Sequence, residues 1–170
     1  MGLIKLRLEC AALPSPREYQ IVACKLFEGI SRPTRASVTI SSETRFDELT
    51  LLDAAATFRA QHDHSERQWS FLVDAARYTG FRDERHQYVV ELTHPVAILG
   101  RRHNTRAFQK RPLRKIVEEL LAGCNIAADQ LIWKMGEDPT REYIVQYRES
   151  DLALLQRLLF EDGANYLLTF

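Results

Sequence analysis

Apolar and polar residues alternate along much of the first hundred residues. Ile4, Leu6 and Leu8 are separated by charged residues, which is the pattern of a strand with one buried face. Five further strand-like stretches follow, and short runs rich in turn-forming residues separate them. These stretches are residues 21–27, 36–41, 54–60, 69–74 and 88–93. Short strands at this spacing predict an antiparallel β-barrel or sandwich rather than βαβ units.

A helical period replaces the strand period after residue 94. Between Pro112 and Leu121 the apolar residues recur at i, i+3, i+4, i+7 and i+8, as on the buried face of an amphipathic helix. Pro112 suits the first helical position, and Gly123 suits the helix end. Residues 124–140 are mostly polar, with Trp133 as their predicted anchor. The pattern therefore predicts a small helical insertion after the strand-rich part.

The last thirty residues predict a strand, a tight corner and a helix. Tyr143, Val145 and Tyr147 share one face of the strand, and Ile144 and Gln146 lie on the opposite face.

Capping residues mark both ends of the helix that follows. Ser150 is a favourable N-cap, and Asp151 places a carboxylate at the positive end of the helix dipole. Gly163 can take the left-handed conformation that ends a helix. Arg148 is expected to anchor the corner through charge-assisted bonds to a carboxylate or to carbonyl oxygens. Residues 166–170 are apolar and β-prone, and they predict a further strand.

Composition narrows the functional classes. Lys plus Arg and Asp plus Glu both number 23 in 170 residues, so the formal charge is zero and nothing predicts a strong non-specific attraction to nucleic acid. No apolar run resembles a signal peptide or reaches the roughly 18 residues of a membrane span. We interpret Cys10 and Cys24, which fall in predicted strands, as small buried apolar residues in a reducing compartment, with a disulfide between them as the alternative.

Several motifs, in a consistent order, resemble those of a known family. Residues 141–163 (REYIVQYRESDLALLQRLLFEDG) carry the most specific one, 27–33 (FEGISRP) is similar to an early EG-SRP segment, and 106–109 (RAFQ) resembles an R-FQ helix entry. The chain is identified by these motifs as a member of the family of VgrG tip proteins of type VI secretion and phage tail-hub (late control D) proteins. The residues assigned structural or interface roles are Glu28, Gly29, Arg32, Pro33, Arg106, Phe108, Gln109, Tyr147, Arg148, Glu149, Ser150 and Asp151.

The resemblance implies a mainly β fold with α-helices (α+β). It implies an antiparallel β-barrel over residues 1–100, a helical insertion or connection over 101–140, and the incomplete start of a second, related barrel over 141–170. Full-length family members continue into an OB-like domain and a β-helical needle. The apolar strand predicted at 166–170 needs a partner, so either an oligomer partner covers it or this chain is a piece of such a longer protein, and we favour the second explanation.

The resemblance also implies how the protein works. In the family the two barrels of each subunit alternate around a homotrimer, which matches a hexameric, Hcp-like tube protein. The implied function is that of a structural hub or adaptor in a contractile injection machine. Such a protein assembles in the cytoplasm, is exported by the machine, and is neither an enzyme nor a cofactor carrier.

A basic run supports one alternative, a nucleic-acid-binding module. The Lys and Arg residues of this run, 101–115, are Arg101, Arg102, Arg106, Lys110, Arg111, Arg114 and Lys115, and such a cluster can bind phosphates. Glu118 and Glu119 balance them, and Phe108 is the only interleaved aromatic residue. A solvated face or an intersubunit surface explains the run better, so nucleic acid is not the expected partner.

Two further hypotheses concern metal and catalysis. His62 and His64 would point the same way from a strand, but a metal-dependent hydrolase would need three or four converging ligands. Ser150 lies beside carboxylates, yet it has no surrounding glycine elbow and no histidine nearby in sequence. No catalytic, cofactor-binding or metal-ligating residue is therefore predicted.

Overall fold

The computed structural model describes residues 4–169. Contacts divide the chain into two compact units. The first unit comprises residues 4–29, 33–94 and 168–169 of the described chain, and the second comprises residues 30–32 and 95–167. The boundaries predicted near residues 100 and 140 stay predictions.

A single antiparallel sheet of six strands forms the first unit. In chain order the strands are β1 (Lys5–Cys10), β2 (Tyr19–Phe27), β3 (Arg35–Ser42), β4 (Ala55–His62), β5 (Ser65–Arg82) and β6 (Arg85–Thr93). Their order across the sheet is β1-β4-β5-β6-β3-β2, so β1 and β2 are its edges. A short 3₁₀ helix, Glu48–Leu51, precedes β4.

The long strand β5 curls the sheet. Its first half pairs with β4 and its second half pairs with β6, with the change at Leu72. The register shifts between Val73 and Ala75, and again between Tyr78 and Gly80, and such bulges bend a strand and increase its twist. The result is a curled, antiparallel half-barrel, which confirms the predicted class of a mainly β fold with α-helices.

The core lies on the concave face of this sheet. Tyr88 on β6 is fully buried, and its ring stacks on Phe46 with the centroids 3.9 Å apart. The Tyr88 hydroxyl accepts a hydrogen bond from Phe46 N at 2.9 Å and donates one to Phe46 O at 3.1 Å. The connection between β3 and β4 is thereby fixed over one end of the core.

The second unit contains a two-stranded sheet and two helices. The strands are β7 (His103–Arg111) and β8 (Arg141–Ser150), and the helices are α1 (Leu113–Ala122) and α2 (Asp151–Glu161). β7 and β8 pair antiparallel, and we call this sheet the ribbon. A 3₁₀ segment, Pro95–Arg101, leads into it. Among the described residues, no helix combines the length and the apolarity needed to cross a membrane.

The predicted helix is confirmed, but it begins at Leu113, one residue later than predicted, and its cap is supplied from a distance. Pro112 is the residue before the helix, and Asp138 accepts hydrogen bonds from Leu113 N at 2.8 Å and Arg114 N at 3.2 Å. The polar connection between α1 and β8 thus provides the carboxylate that satisfies the first turn of α1.

The strand predicted at residues 166–170 is wrong for residues 166–169, and Phe170 lies outside the described chain. Residues 164–169 have an irregular backbone. Ala164 N donates to Leu159 O at 2.8 Å, and Ser31 N donates to Tyr166 O at 2.9 Å. Tyr166 O thus bonds to a single residue of another segment, and residues 166–169 pair with no strand of the described chain.

The cysteines differ from their predicted burial. All three thiols are free, so the alternative of a disulfide is not realised. Cys124 is buried, but Cys10 and Cys24 are only partly buried because they lie on the two edge strands. Burial raises the pKa of the Cys24 thiol, so it is protonated at neutral pH.

Candidate functional site

The start of α2 is built around a fully buried carboxylate. Oδ1 of Asp151 accepts hydrogen bonds from Asn104 Nδ2 at 2.9 Å and from Gln146 Nε2 at 2.8 Å. The Arg106 guanidinium lies 3.1 Å from the same oxygen, and Arg102 Nε lies 3.2 Å from Oδ2. We call these five residues the Asp151 cluster. They come from both strands of the ribbon, from the residue before β7 and from α2, so one side chain joins all of these parts.

The carboxylate of Asp151 is held in its charged form. Burial alone raises its pKa, but the hydrogen bonds from Gln146 and Asn104 and the charges of Arg106 and Arg102 outweigh burial and lower it. The cluster therefore contains an ionised carboxylate at neutral pH. The same negative charge lies at the N-terminus of α2, where the helix dipole also favours it.

A glycine leaves room for one cation of the cluster. A Cβ at Gly123 would lie 1.7 Å from Nη1 of Arg102. The φ angle of Gly123 is −67°, an ordinary right-handed value, so glycine here leaves space for the Arg102 guanidinium and does not supply an unusual backbone conformation. Gly123 ends α1 as predicted, and it also lets Arg102 reach Asp151.

The predicted caps of α2 are confirmed. Ala153 N donates a hydrogen bond to Ser150 Oγ at 3.1 Å, which satisfies one free amide of the first turn. Gly163 has a φ angle of +63°, and the bond from Ala164 N to Leu159 O closes the helix end. Ser150 therefore has a structural role that needs no catalytic explanation.

The anchoring role predicted for Arg148 is wrong. Arg148 has a φ angle of 52°, the left-handed conformation of a tight corner, and its guanidinium lies over the Tyr147 ring at 5.4 Å. The charge-assisted bonds are made instead by Arg157, which donates to Glu149 Oε1 at 2.6 Å and to Val145 O at 2.9 Å. Because the left-handed backbone turns the Arg148 side chain outward onto Tyr147, an arginine of α2 secures the corner.

The outer face of the ribbon has three exposed register pairs without charged residues, and the Arg148 guanidinium lies over the ring of Tyr147 at its end. Tyr143, Val145 and Tyr147 of β8 are 59%, 44% and 65% exposed. Their register partners on β7 are Gln109, Ala107 and Thr105, all exposed. We call these six residues the tyrosine face. Tyrosine is enriched at protein interfaces because its ring buries a large area while its hydroxyl remains hydrogen-bonded.

On the inner face of the ribbon, buried apolar side chains alternate with polar side chains along each strand. Phe108 and Ile144 are buried, and the Arg106 guanidinium stacks over the Phe108 ring at 5.0 Å. Arg106 Nε donates to Oε1 of the fully buried Gln146 at 2.8 Å. The two predicted faces of β8 are thus confirmed. Of the RAFQ motif, Arg106 and Phe108 point inward and Gln109 points outward.

Glu28 of the FEGISRP motif binds to the first sheet. Its Oε1 accepts hydrogen bonds from Trp69 Nε1 at 3.0 Å and from Arg67 Nη2 at 2.9 Å. The bond from Trp69 lowers the pKa of Glu28, burial raises it, and Arg67 lowers it further, with a net decrease. Of the other motif residues, Gly29 and Arg32 are exposed and Pro33 is partly buried.

Ser31 of the same motif joins the end of the second unit. Ser31 N donates to Tyr166 O at 2.9 Å, and Ser31 Oγ donates to Asn165 Oδ1 at 3.1 Å. Gln156 Nε2 donates to Ser31 O at 3.1 Å. Ser31 has a φ angle of 54°, so a non-glycine residue is held in a left-handed conformation by these bonds. We call Ser31, Gln156, Asn165 and Tyr166 the Ser31 clasp.

Two substitutions of Ser31 should distinguish the contribution of its hydroxyl to stability from the cost of its left-handed backbone. Ser31→Ala removes the Oγ bond and keeps the left-handed strain, so we expect a loss of about 1 kcal/mol. Ser31→Gly also removes the bond but relieves roughly 1 kcal/mol of strain, so its stability should lie near that of the wild type. Urea unfolding of both variants, followed through the helical circular dichroism signal, measures the difference. An alanine variant as stable as the wild type would contradict the clasp.

Family comparison agrees with this geometry. Residues 27–170 match the phage tail baseplate hub (GPD) family, and this range contains the FEGISRP motif, the ribbon and the Asp151 cluster. The chain belongs to the phage tail baseplate hub family. The family predicted from the motifs is thereby confirmed.

Curated relatives of this hub-family chain are type VI secretion proteins. The spike protein VgrG4b of Pseudomonas aeruginosa is 34% identical over 151 residues, covering 88% of this chain and 18% of the relative. The spike protein VgrG5 of the same organism is 31% identical over 157 residues, covering 88% of this chain and 19% of the relative. The chain thus spans about a fifth of the length of these curated relatives.

Solved structures show the same hub fold. The E. coli c3393 protein, a component of the type VI secretion system with structural similarity to T4 bacteriophage tail proteins gp27 and gp5, superposes with a TM-score of 0.76 at 22% identity. The match covers 90% of this chain and 42% of that one. A 43 kDa tail protein of prophage MuSo2 from Shewanella oneidensis gives a TM-score of 0.70 at 13% identity, covering 95% of this chain and 49% of that one.

The basic run of the hub chain is largely neutralised. Most of its cations lie against carboxylates of the second unit. The ion pairs are Arg102–Asp151, Arg106–Asp151, Arg106–Glu119, Arg111–Glu119, Arg114–Asp138 and Lys115–Glu118. Residues 101–115 therefore present less free positive charge than their sequence suggests, which weakens the nucleic-acid alternative.

The histidines give no support to the metal hypothesis. His62 ends β4 at the β4–β5 turn, both it and His64 are exposed, and within residues 4–169 no group of three or more histidine, cysteine or acidic residues is placed to hold a metal ion. His94 is partly buried, and burial lowers its pKa to about 4. It is therefore neutral at physiological pH.

The Asp151 cluster is the feature of the hub chain that sequence reasoning misses. The local pattern predicts only a carboxylate at a helix N-terminus, which is usually exposed. A signal was present nevertheless, because Gln146 and Arg106 both occupy inward positions of their strands beside Ile144 and Phe108. Two polar residues on a buried face require a polar partner between them.

Proposed function

We propose that this chain provides the hub of a contractile injection machine of the type VI kind, and that it works through shape and surface contacts without catalysis. The observation that carries the proposal is the match of residues 27–170 to the tail baseplate hub family. In this proposal the ribbon and α2 begin a second barrel, and the longer protein continues into OB-like and needle regions. The protein assembles in the cytoplasm and leaves through the machine itself.

We propose further that three copies assemble through the tyrosine face, and that the trimer docks on a hexameric, Hcp-like tube. The six residues of the face carry no charge of their own and the chain has a formal charge of zero, so contact between copies has to accommodate the Arg148 cation over Tyr147 and otherwise meets little like-charge repulsion. Three subunits with two barrels each present six similar surfaces to a sixfold ring. Matched symmetry lets weak contacts act together.

The available area suggests how strong this association is. Tyr143 and Tyr147 each bring about 100–150 Å² of exposed ring to a contact. A stable interface buries about 800 Å² on each partner. The tyrosine face alone therefore supports weak self-association, with dissociation constants of about 100 μM or higher.

Mutation of the tyrosine face tests the proposal. We expect the full 170-residue chain to show concentration-dependent trimers by light scattering coupled to size-exclusion chromatography. Tyr143→Asp combined with Tyr147→Asp should weaken this association at least about tenfold, because both charges would have to be desolvated. Phe160→Asp is the matched control, since Phe160 is 84% exposed but lies on α2.

Tube binding provides the second measurement. Immobilised hexameric tube protein should retain the wild type and the Phe160→Asp variant, and it should release the double tyrosine variant faster because avidity is lost. A chain that stays monomeric at millimolar concentration and ignores tube protein would contradict the proposal. If the double variant associates as strongly as the wild type, the hub proposal would stand, but the tyrosine face would not be the contact surface.

A further inference from the structure

The half-barrel of the first unit is open between its two edge strands. β1 and β2 follow one another in the chain, and Tyr19 at the start of β2 donates its hydroxyl hydrogen bond to Leu8 O on β1. Beyond that contact no backbone ladder joins the two strands within residues 4–169. We call the opening the β1–β2 seam.

The side chains along the seam are apolar and incompletely covered. Inward residues of the inner strands β3 to β6, such as Val38 and Val90, are almost fully buried. Of the inward residues of the edge strands, Leu8 on β1 and Tyr19 on β2 are buried, and five others are only partly buried. These five are Leu6 and Cys10 on β1, and Ile21, Cys24 and Leu26 on β2. The core is therefore well covered under the middle of the sheet and at Leu8, and partly exposed at both ends of β1 and along β2 after Tyr19.

The backbone of the seam differs between its two ends. Near Tyr19 the β1 edge is blocked, because Leu8 O accepts from Tyr19 and Cys10 O accepts from Leu13 N at 3.0 Å. At the other end the outer edge of β2 has no strand partner within the described chain up to Phe27. Free edge groups beside an apolar strip accept an extended segment, as in β-strand addition.

The charges beside the seam favour an acidic occupant. The charged residues of β1 and β2 are Lys5, Arg7, Glu9 and Lys25. Glu9 lies 3.5 Å from Arg59 of β4, and no carboxylate among residues 4–169 pairs with the other three. The outward positions beside the seam therefore carry an excess of positive charge.

We propose that the β1–β2 seam binds an extended segment of a partner protein in which apolar residues alternate with acidic ones. The apolar side chains would cover the partly buried strip, and the acidic side chains would face Lys5, Arg7 and Lys25. The backbone of the segment would pair with the free edge of β2. This site is a property of the first unit, so its failure would leave the hub proposal standing.

A strand-length peptide tests the seam on the full 170-residue chain. The probe is a synthetic peptide of about six residues in which Glu or Asp alternates with Val or Ile. We expect shifts of the β1 and β2 amide signals in nitrogen-15 NMR spectra and slower alkylation of Cys10 and Cys24, with a dissociation constant of about 10–500 μM. Alkylation of the buried Cys124 is the internal control.

Variants and a second peptide make the result specific. Arg7→Glu with Lys25→Glu changes only exposed side chains and should weaken binding at least about tenfold. Leu49→Glu, at a residue 67% exposed outside the seam, should leave binding unchanged. A peptide with lysine at the acidic positions should bind at least about tenfold more weakly.

Three results would overturn the proposal. The first is the absence of any β1 or β2 shift at about 1 mM acidic peptide. The second is equal binding of the lysine peptide, since charge would then play no part. The third is self-association of the free chain that already protects Cys10 and Cys24, because the occupant would then be a second copy.

Discussion

Asp151→Ala is expected to destabilise the second unit by about 3 kcal/mol. Removing one partner of a buried ion pair leaves the remaining charges unmatched, at a cost of about 3–5 kcal/mol. Arg102 and Arg106 are partly exposed and can regain water, which places the expected loss at the lower end of that range. Gln146 is fully buried, and it loses the acceptor of one amide hydrogen bond.

Urea unfolding followed by far-ultraviolet circular dichroism measures this loss. Both α-helices belong to the second unit, so the helical signal reports on that unit. Glu161→Ala is the control, because it breaks partly exposed ion pairs to Arg141 and Arg157 and should cost less than about 1 kcal/mol. An Asp151→Ala loss no larger than that of the control would show that the cluster does not stabilise the unit.

The contribution of Asp151 should also depend on pH in a defined direction. Its folded pKa is below the value in the unfolded chain, so the unfolded state binds more protons as the pH falls through this window. The stabilisation is complete above the unfolded pKa of about 4 and is lost as the pH falls toward the folded value. The wild type should therefore approach the stability of Asp151→Asn below about pH 4.

Trp69→Ala is expected to cost the first unit about 4 kcal/mol, the largest effect of a single truncation that we anticipate there. Trp69 is almost fully buried, its ring lies 5.8 Å from that of Phe58, and replacement of a buried tryptophan by alanine typically costs 3–5 kcal/mol. Trp69→Phe retains most of the apolar contact and loses the bond to Glu28, so it should cost about 1–2 kcal/mol.

Hydrogen exchange of the β4 and β5 amides measures this loss of stability in the first unit, and it does not depend on tryptophan fluorescence. A double-mutant cycle between Trp69→Phe and Glu28→Ala should give a coupling of about 1 kcal/mol. Arg67→Ala is the comparison, since Arg67 also bonds to Glu28 but is exposed, and its effect should be below about 1 kcal/mol. Additive effects of the Trp69 and Glu28 substitutions would mean that the motif glutamate is not held by the indole.

Local patterns predict most of the secondary structure because each element follows its own periodicity. The inward residues of β3 and β6 alternate as a strand buried on one face requires, and the α1 leucines and isoleucine recur at helical spacing. The caps of α2 are also local, since Ser150 bonds to a residue three positions away. Such features need no knowledge of the tertiary structure.

The features that were not predicted depend on contacts between distant residues. Asp151 receives its partners from residues 102–106 and 146, and Ser31 receives its partners from residues 156–166. The terminal segment has β-prone residues, but a strand also needs a neighbouring strand, and residues 164–169 have none in the described chain. Arg148 was assigned the bonds of Arg157 because the left-handed backbone at the corner reverses the direction of its side chain.

The glycine that ends α1 restricts how this region can change during evolution. A side chain at position 123 would occupy the volume that the Arg102 guanidinium fills. Because the guanidinium is the end of a flexible, partly exposed side chain, a larger residue at 123 would push it away from Asp151, so the constraint on residue 102 would be relaxed and the two positions should covary. In relatives with such a residue, Arg106 would remain as the only cation of the cluster beside the anion at 151. Residue 123 at the end of α1 and residue 102 before β7 would then have changed together, although they are distant in sequence.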